Sequence, residues 1–248
     1  MPGRETRGDV TSDIRPTTKQ FYTPAPYSRL VRDGEVLVVG VGGLGCLWAL
    51  EAHSGCPDLA ELLLVDADES SFEGASYANC LFLDSGGEGR GAAALPSMAI
   101  HRLMDGMESI SDLLERAEVV ILMAGLGGGM GSGASGELAK MAKQYGSLVL
   151  SVVGLPFAEQ PLRCAIAEEA LPSLEAHSDV CIRVSMERLA WQSRRRKTNW
   201  MLGSGWIGEL VEGLVTTLAS VGRINLDLMD MRAIINKTGN ATLIVGTG

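Results

Sequence analysis

Ten residues constrain this chain more than any others: Ala124-Gly125-Leu126-Gly127-Gly128-Gly129-Met130-Gly131-Ser132-Gly133. The run before them, Glu118 to Met123, is apolar and β-branched and predicts a buried strand. The run after them, residues 134–145, predicts a helix that ends at Gly146. Glycine therefore concentrates where a strand stops and a helix starts. Six of the ten residues lack a Cβ, so main-chain N–H groups can crowd around an anion. The helix adds its own unpaired N–H groups and the positive end of its dipole. A chain of phosphates is the guest such a turn accepts. The competing reading is a flexible glycine linker, but linkers are not flanked by a core strand and an amphipathic helix. A Walker-type loop would close on Gly-Lys-Ser/Thr, and no lysine stands there. The ligand is then held mainly by backbone and dipole, without a loop lysine.

A second turn of the same kind lies upstream. Residues 35–40 predict a strand, Gly40-Val41-Gly42-Gly43-Leu44-Gly45 follows, and residues 46–54 predict a helix. This is G-x-G-x-x-G at a strand–helix junction. Residues 61–66 predict the next strand, which ends in Asp66 about 20 residues on. An acid at that distance suits a ribose hydroxyl; Asp68 and Glu69 have a solvated loop as the bland alternative. Further strands are predicted over 148–153, 180–184 and 239–246, and helices over 109–116, 162–176 and 199–220. Alternating strands and helices predict an α/β fold: a mainly parallel sheet with helices on both faces. Residues 1–33 hold four prolines and no stable period, and predict a flexible N-terminal arm. Arg194-Arg195-Arg196-Lys197 reads as a solvated turn between helices, with a partner contact as the alternative.

Bulk properties narrow the function. Of 248 residues, 46% are hydrophobic and 21% charged, enough to bury a core. The net charge of −9 disfavours nucleic acid or an anionic membrane as the main partner. No apolar run reaches membrane-spanning length. The five cysteines show no CxxC spacing, which predicts reduced core thiols of a cytoplasmic protein. The three histidines are isolated from one another and from cysteine, so no protein metal centre is expected.

Gly127-Gly128-Gly129-Met130-Gly131-Ser132-Gly133 resembles the GGGTGTG signature of the tubulin/FtsZ superfamily, with Met130 and Ser132 where that motif carries threonines. The resemblance implies a Rossmann-like GTPase domain over 34–248 with a long central helix. FtsZ and tubulin continue into a second, C-terminal domain that is absent from this sequence. It implies GTP/GDP as the bound nucleotide, accompanied by Mg2+, with residues 127–133 around the phosphates. Gly42, Gly43 and Leu44 resemble the first nucleotide loop of FtsZ. Locally, residues 36–68 resemble even more closely the ThiF/MoeB and ubiquitin-activating adenylation fold, where VLVVGxGGLG leads to LVDxD. Asp66 serves either reading. The arginine-bearing segment and paired CxxC motifs of the adenylating enzymes do not follow.

Other segments extend the FtsZ resemblance. Residues 85–94 resemble the loop that covers the γ-phosphate, which implicates Gly89, Arg90 and Gly91; a solvated Arg90 is the alternative. Gly154-Leu155-Pro156-Phe157-Ala158-Glu159 is similar to VVTRPFSFEG and assigns Pro156, Glu159 and Arg163 to the ribose and phosphates. Ser185-Met186-Glu187 departs from the family's PND. By register Trp200 falls where FtsZ stacks a phenylalanine on guanine, and Ser204 where it reads the base edge. Residues 223–230 resemble GLINVDFADV, the loop that acts on the neighbouring subunit's nucleotide, so Asn225, Asp227 and Asp230 are the implied catalytic residues. The implied partner is a second copy of the chain in a head-to-tail filament. An ATP-dependent adenylating enzyme and a nucleotide-binding scaffold without turnover remain the alternatives.

Overall fold

The computed structural model describes residues 36–75, 78–83, 95–197 and 205–219, with Arg232, Ala233 and Ile235. Among the described residues six strands form one sheet: β1 (Val36–Val41), β2 (Glu61–Asp66), β3 (Asn79–Phe82), β4 (Val119–Gly125), β5 (Leu148–Leu155) and β6 (Val180–Ser185). Their order is β3-β2-β1-β4-β5-β6. Every neighbouring pair is parallel, from Val38 opposite Leu62 to Val153 opposite Arg183. The helices are α1 (Gly42–Ser54), α2 (Pro96–Gly106), α3 (Ser111–Arg116), α4 (Gly129–Gln144), α5 (Pro161–Ala176), α6 (Met186–Arg196) and α7 (Trp206–Ala219). The expected α/β architecture is therefore present.

Two cores, one on each face, explain the near-continuous apolar character of the central strands. Leu37, Val39 and Val41 of β1 pack with Leu103 of α2, Leu114 of α3 and Leu138 of α4. Val36 and Val38 pack on the opposite face with Trp48 of α1, Leu189 of α6 and Val211 of α7. Both sets are buried. A strand covered on both sides cannot alternate polar and apolar residues, which is why β1, β4 and β5 stand out in the sequence.

Elements at the margins differ from expectation. β3 is an edge strand whose residues are mostly exposed, so it has no apolar run to announce it. α2 is opened by Pro96 at its first turn, a start signal not followed by an unbroken apolar period. α1 begins at Gly42 rather than Cys46, and α4 at Gly129 rather than Ala134. Both glycine turns therefore contribute the first helical turn itself. Arg194, Arg195 and Arg196 are not in a turn: they form the last turn of α6, where cations oppose the negative end of the dipole. Lys197 closes that helix in the left-handed region at φ 56°. Of the cysteines expected in the core, Cys46 and Cys56 are buried, Cys164 and Cys181 half-buried, and Cys80 exposed; all are free thiols. Burial pushes the Cys46 thiol well above its ordinary range. The expected strand over 239–246 and the N-terminal arm lie outside the described residues, as do residues 199–204 of the expected long helix.

Candidate functional site

The strand order reverses between β1 and β4, and the crevice beyond their carboxyl ends is where open α/β sheets take ligands. A cleft of about 470 Å³ opens there. One wall is Gly42, Gly43, Leu44, Asp66, Asp68 and Ser71. The floor is Gly125, Leu126 and Gly128 to Gly131, and the far wall includes Pro156, Phe157, Gln160, Arg163 and Met186.

Two helices of 13 and 16 residues start at this cleft, α1 and α4. Neither has a side chain capping its N-terminus, and neither has an acid in its first turn. α2 and α5 also lack both, but each opens on a proline that has no N–H to leave unpaired. At α1 and α4 the orphan N–H groups and positive dipole ends of both helices are left for something that enters the cleft. The site is thus built for a polyanion.

The turns are held in place in different ways. At Gly42 the backbone is left-handed, φ 71°, and a Cβ there would stand 3.1 Å from the Gly131 nitrogen. In the second turn the Gly127 N–H donates to the Ser132 hydroxyl at 2.8 Å. The Leu126 N–H donates to the Gly154 carbonyl at 2.9 Å, tying the turn to the end of β5. Gly127 has φ +94° and backs onto Arg163, whose carbonyl would lie 2.8 Å from a Cβ. Gly128 differs: a Cβ there meets nothing within 4 Å, because it faces the open cleft.

Asp66 is 4% exposed. One carboxylate oxygen accepts from the Ala67 N–H at 2.7 Å, the other from the Ser71 hydroxyl at 2.5 Å. Burial pushes its carboxyl above the ordinary range, against the lowering effect of those bonds. Asp68 accepts from the Ser70 N–H at 3.0 Å and caps the short 3-10 turn over Glu69–Phe72. Among the described residues Arg163 is the one basic side chain lining the cleft, and no group of three or more potential metal ligands exists. Mg2+ is commonly held by one or two carboxylates together with a ligand's phosphates. Asp66 and Asp68 meet that requirement by type.

The cleft thus unites Gly42, Gly43, Leu44, Asp66, Gly128, Gly129, Met130, Gly131, Pro156 and Arg163. Three residues of the signature stand behind it. Gly127 and Ser132 hold each other, and Gly133 lies where a Cβ would press on the Pro96 carbonyl of α2. Glu159 is exposed, and its neighbour Gln160 lines the wall instead. Gly89, Arg90, Gly91, Trp200, Ser204, Asn225, Asp227 and Asp230 lie outside the described residues. Ser71 and Gln160 line the cleft without any sequence signal that singles them out, and Met186, marked in the sequence only as part of a departure from a motif, lines it too.

The departure at 185–187 has a structural task. Glu187 accepts the Ala158 N–H at 2.5 Å and the Ser185 hydroxyl at 2.9 Å. The Ala158 bond, with the Glu187 N–H and Ser185 bonds, holds its carboxyl below the ordinary range. Glu187 thereby latches the strip from Pro156 to Gln160 to the start of α6.

A family model described as Tubulin/FtsZ family, GTPase domain, matches residues 35–192. The cell division protein FtsZ of Mycoplasmopsis pulmonis is 29% identical over 219 residues, 87% of this chain and 56% of that protein. FtsZ 2 of Haloferax volcanii is 30% identical over 230 residues, 86% of this chain and 54% of its own length. The chain spans somewhat more than half the length of these relatives. Among solved structures an empty FtsZ dimer of M. jannaschii superposes with TM-score 0.68 at 25% identity, covering 82% of this chain and 60% of that one. A GTPγS-bound CetZ2 protofilament from Haloferax volcanii shares the fold at TM-score 0.64 and 22% identity, over 76% of this chain and 60% of that one. These matches displace the adenylating-enzyme reading, whose likeness ended near residue 68. With the signature turn, the strand order and the cleft all in agreement, the chain belongs to the Tubulin/FtsZ family and carries its GTPase domain.

Proposed function

We propose that this protein binds GTP in the switch-point cleft, polymerises head to tail, and hydrolyses the nucleotide where two copies meet. The observation that carries this reading is the pair of uncapped, acid-free helix N-termini opening into one cleft. Two such dipoles suit a polyphosphate rather than a single anion. The solved CetZ2 relative was captured as a GTPγS-bound protofilament, which supports both the ligand and the assembly.

In this reading the first turns of α1 and α4 hold the phosphates from two sides. Arg163 approaches them from the far wall. Asp66 and Asp68 stand where a ribose hydroxyl or a magnesium-bound water would lie. GTP supplies the phosphoryl group, and its loose transition state needs an oriented water and charge compensation more than a strong nucleophile. That role falls to Asn225, Asp227 and Asp230 of a neighbouring copy, which would orient the water and hold a cation. A split site of this kind is heterologous, and an unclosed heterologous contact makes a filament. Turnover then depends on assembly, and the protein works in the cytoplasm.

The test has two parts. Nucleotide released from the purified protein should be guanine, and light scattering should rise with GTP and not with ATP. Asp227→Ala should bind nucleotide normally and lose steady-state phosphate release. Mixing it with Gly128→Trp should restore part of the turnover, since each variant keeps the half-site the other lacks. Unchanged turnover in Asp227→Ala would remove the catalytic assignment. Assembly without any phosphate release in the wild type would establish a scaffold instead.

A further inference from the structure

The basic run that closes α6 has no task in the nucleotide cleft. α6 buries Met186, Leu189, Ala190 and Ser193 on one stripe. Trp191 stands at the middle of the opposite face and is 57% exposed. The Arg195 guanidinium lies 4.8 Å over its ring centroid, and Arg188 and Arg194 flank it, also exposed. Lys197 is exposed as well, and over residues 186–197 the sequence holds five bases against one acid, Glu187. That acid is already engaged by Ala158 and Ser185. Among the described residues no carboxylate pairs with Arg188, Arg194 or Arg195. A chain of net charge −9 therefore carries a compact positive face with an indole at its centre. Trp and Arg are both enriched among the residues that carry most of the binding energy at protein interfaces.

The complementary face is on the same molecule. From the end of α2 through α3, Asp105, Glu108, Asp112, Glu115 and Glu118 are all exposed. The single base in that segment, Arg116, is paired with Glu61 of β2 at 3.4 Å. Met104, 52% exposed, lies beside these acids. The two faces match in opposite charge, and each presents one large apolar side chain. They look away from each other: Leu103, Ile110 and Leu114 anchor the acidic face to one core, Met186 and Leu189 the basic face to the core across the sheet.

We propose that the basic face of α6 docks the acidic 104–118 face of a second copy of this chain. A membrane or a nucleic acid would also offer negative charge. Either would be repelled by the acidic remainder of the molecule, whereas the 104–118 face brings both the compensating carboxylates and an apolar residue for the indole. Because the two faces are different and point apart, each copy that joins leaves one of each unsatisfied, so the contact propagates. It uses neither the nucleotide cleft nor residues 225–230, and it needs no nucleotide. It is thus a second contact between copies, independent of the function proposed above.

The experiment is sedimentation velocity of the full chain without nucleotide, across a salt series. The wild type should associate at low salt and dissociate as screening increases. Arg194→Glu/Arg195→Glu should abolish association, and so should Asp112→Arg/Glu115→Arg. Mixing the two variants should restore it, because each now presents the face that the other lost. Trp191→Ala, the gentler change, should weaken association about tenfold or more while leaving its salt dependence in place. A monomeric wild type at every salt concentration overturns the proposal, as does failure of the mixture to associate. It is equally overturned if Arg194→Glu/Arg195→Glu leaves self-association intact and instead loses binding to phosphatidylserine vesicles or to a DNA duplex.

Discussion

The two glycine turns look alike in sequence and are built differently. After β1 the chain enters α1 at once, with Gly42 left-handed and no loop between strand and helix. What fixes that turn is packing: a Cβ on Gly45 would press on the Met123 carbonyl of β4. After β4 three residues intervene before α4, and hydrogen bonds fix them, Gly127 N–H to Ser132 and Leu126 N–H to Gly154. The first turn is held from beneath by close approach of a helix to the sheet. The second is stapled by its own side chain and leaves Gly128 facing open space. Gly45 makes room for protein, and Gly128 makes room for a ligand.

Substitutions can separate these roles. Gly45→Ala should be the most damaging, since α1 must lift off β4; overpacking of this kind costs ~1–3 kcal/mol or more, read in a denaturant midpoint. Ser132→Ala comes next. It strands the Gly127 N–H in a buried turn, so a loss of ~1–3 kcal/mol is expected, with weaker nucleotide binding as the turn loosens. Should Ser132→Ala leave both unchanged, the staple is not what shapes the second turn. Gly128→Ala should invert the pattern, with stability within ~0.5 kcal/mol of wild type and nucleotide affinity reduced in equilibrium titration. Equal losses of stability at Gly45 and Gly128 would erase the distinction between the turns.

The smallest effect concerns the acid beneath the first turn. Burial raises the Asp66 carboxyl in the folded state, so the native protein binds the proton more tightly than the unfolded chain. Stability should then fall as pH rises from the ordinary carboxylate range to the raised folded value, and be level above it. Asp66→Asn keeps the shape and cannot ionise, so its stability should show less of that slope. Parallel pH profiles of the two proteins would mean that Asp66 is not desolvated by its site.

Legibility followed burial. The central strands could be read because both their faces are covered, which forces continuous apolar runs such as Val36-Leu37-Val38-Val39. β3 could not, since an edge strand with Asn79, Cys80 and Phe82 exposed has no such run. The cleft was legible as two glycine turns and Asp66. Ser71 and Gln160 were not, because they arrive from separate loops and carry no spacing. Ser185-Met186-Glu187 read only as a departure from a motif, while in the fold Glu187 holds the Ala158 loop.

The sequence by itself determined the parallel α/β sheet, the placement of two anion-ready turns at strand ends, and membership in a family. These follow from local patterns of apolar runs and glycines, which any fold of this chain must accommodate. Tertiary structure decided where the helices begin, which glycines face the cleft, and that the three arginines extend α6. Intrinsic propensity disfavours Gly131 and Gly133 in a helix, yet the first turns of α4 run through them because only a residue without a Cβ lets the helix lie against Gly125 and Pro96. What stands opposite a residue is not written in its neighbours along the chain, and that is what settled these points.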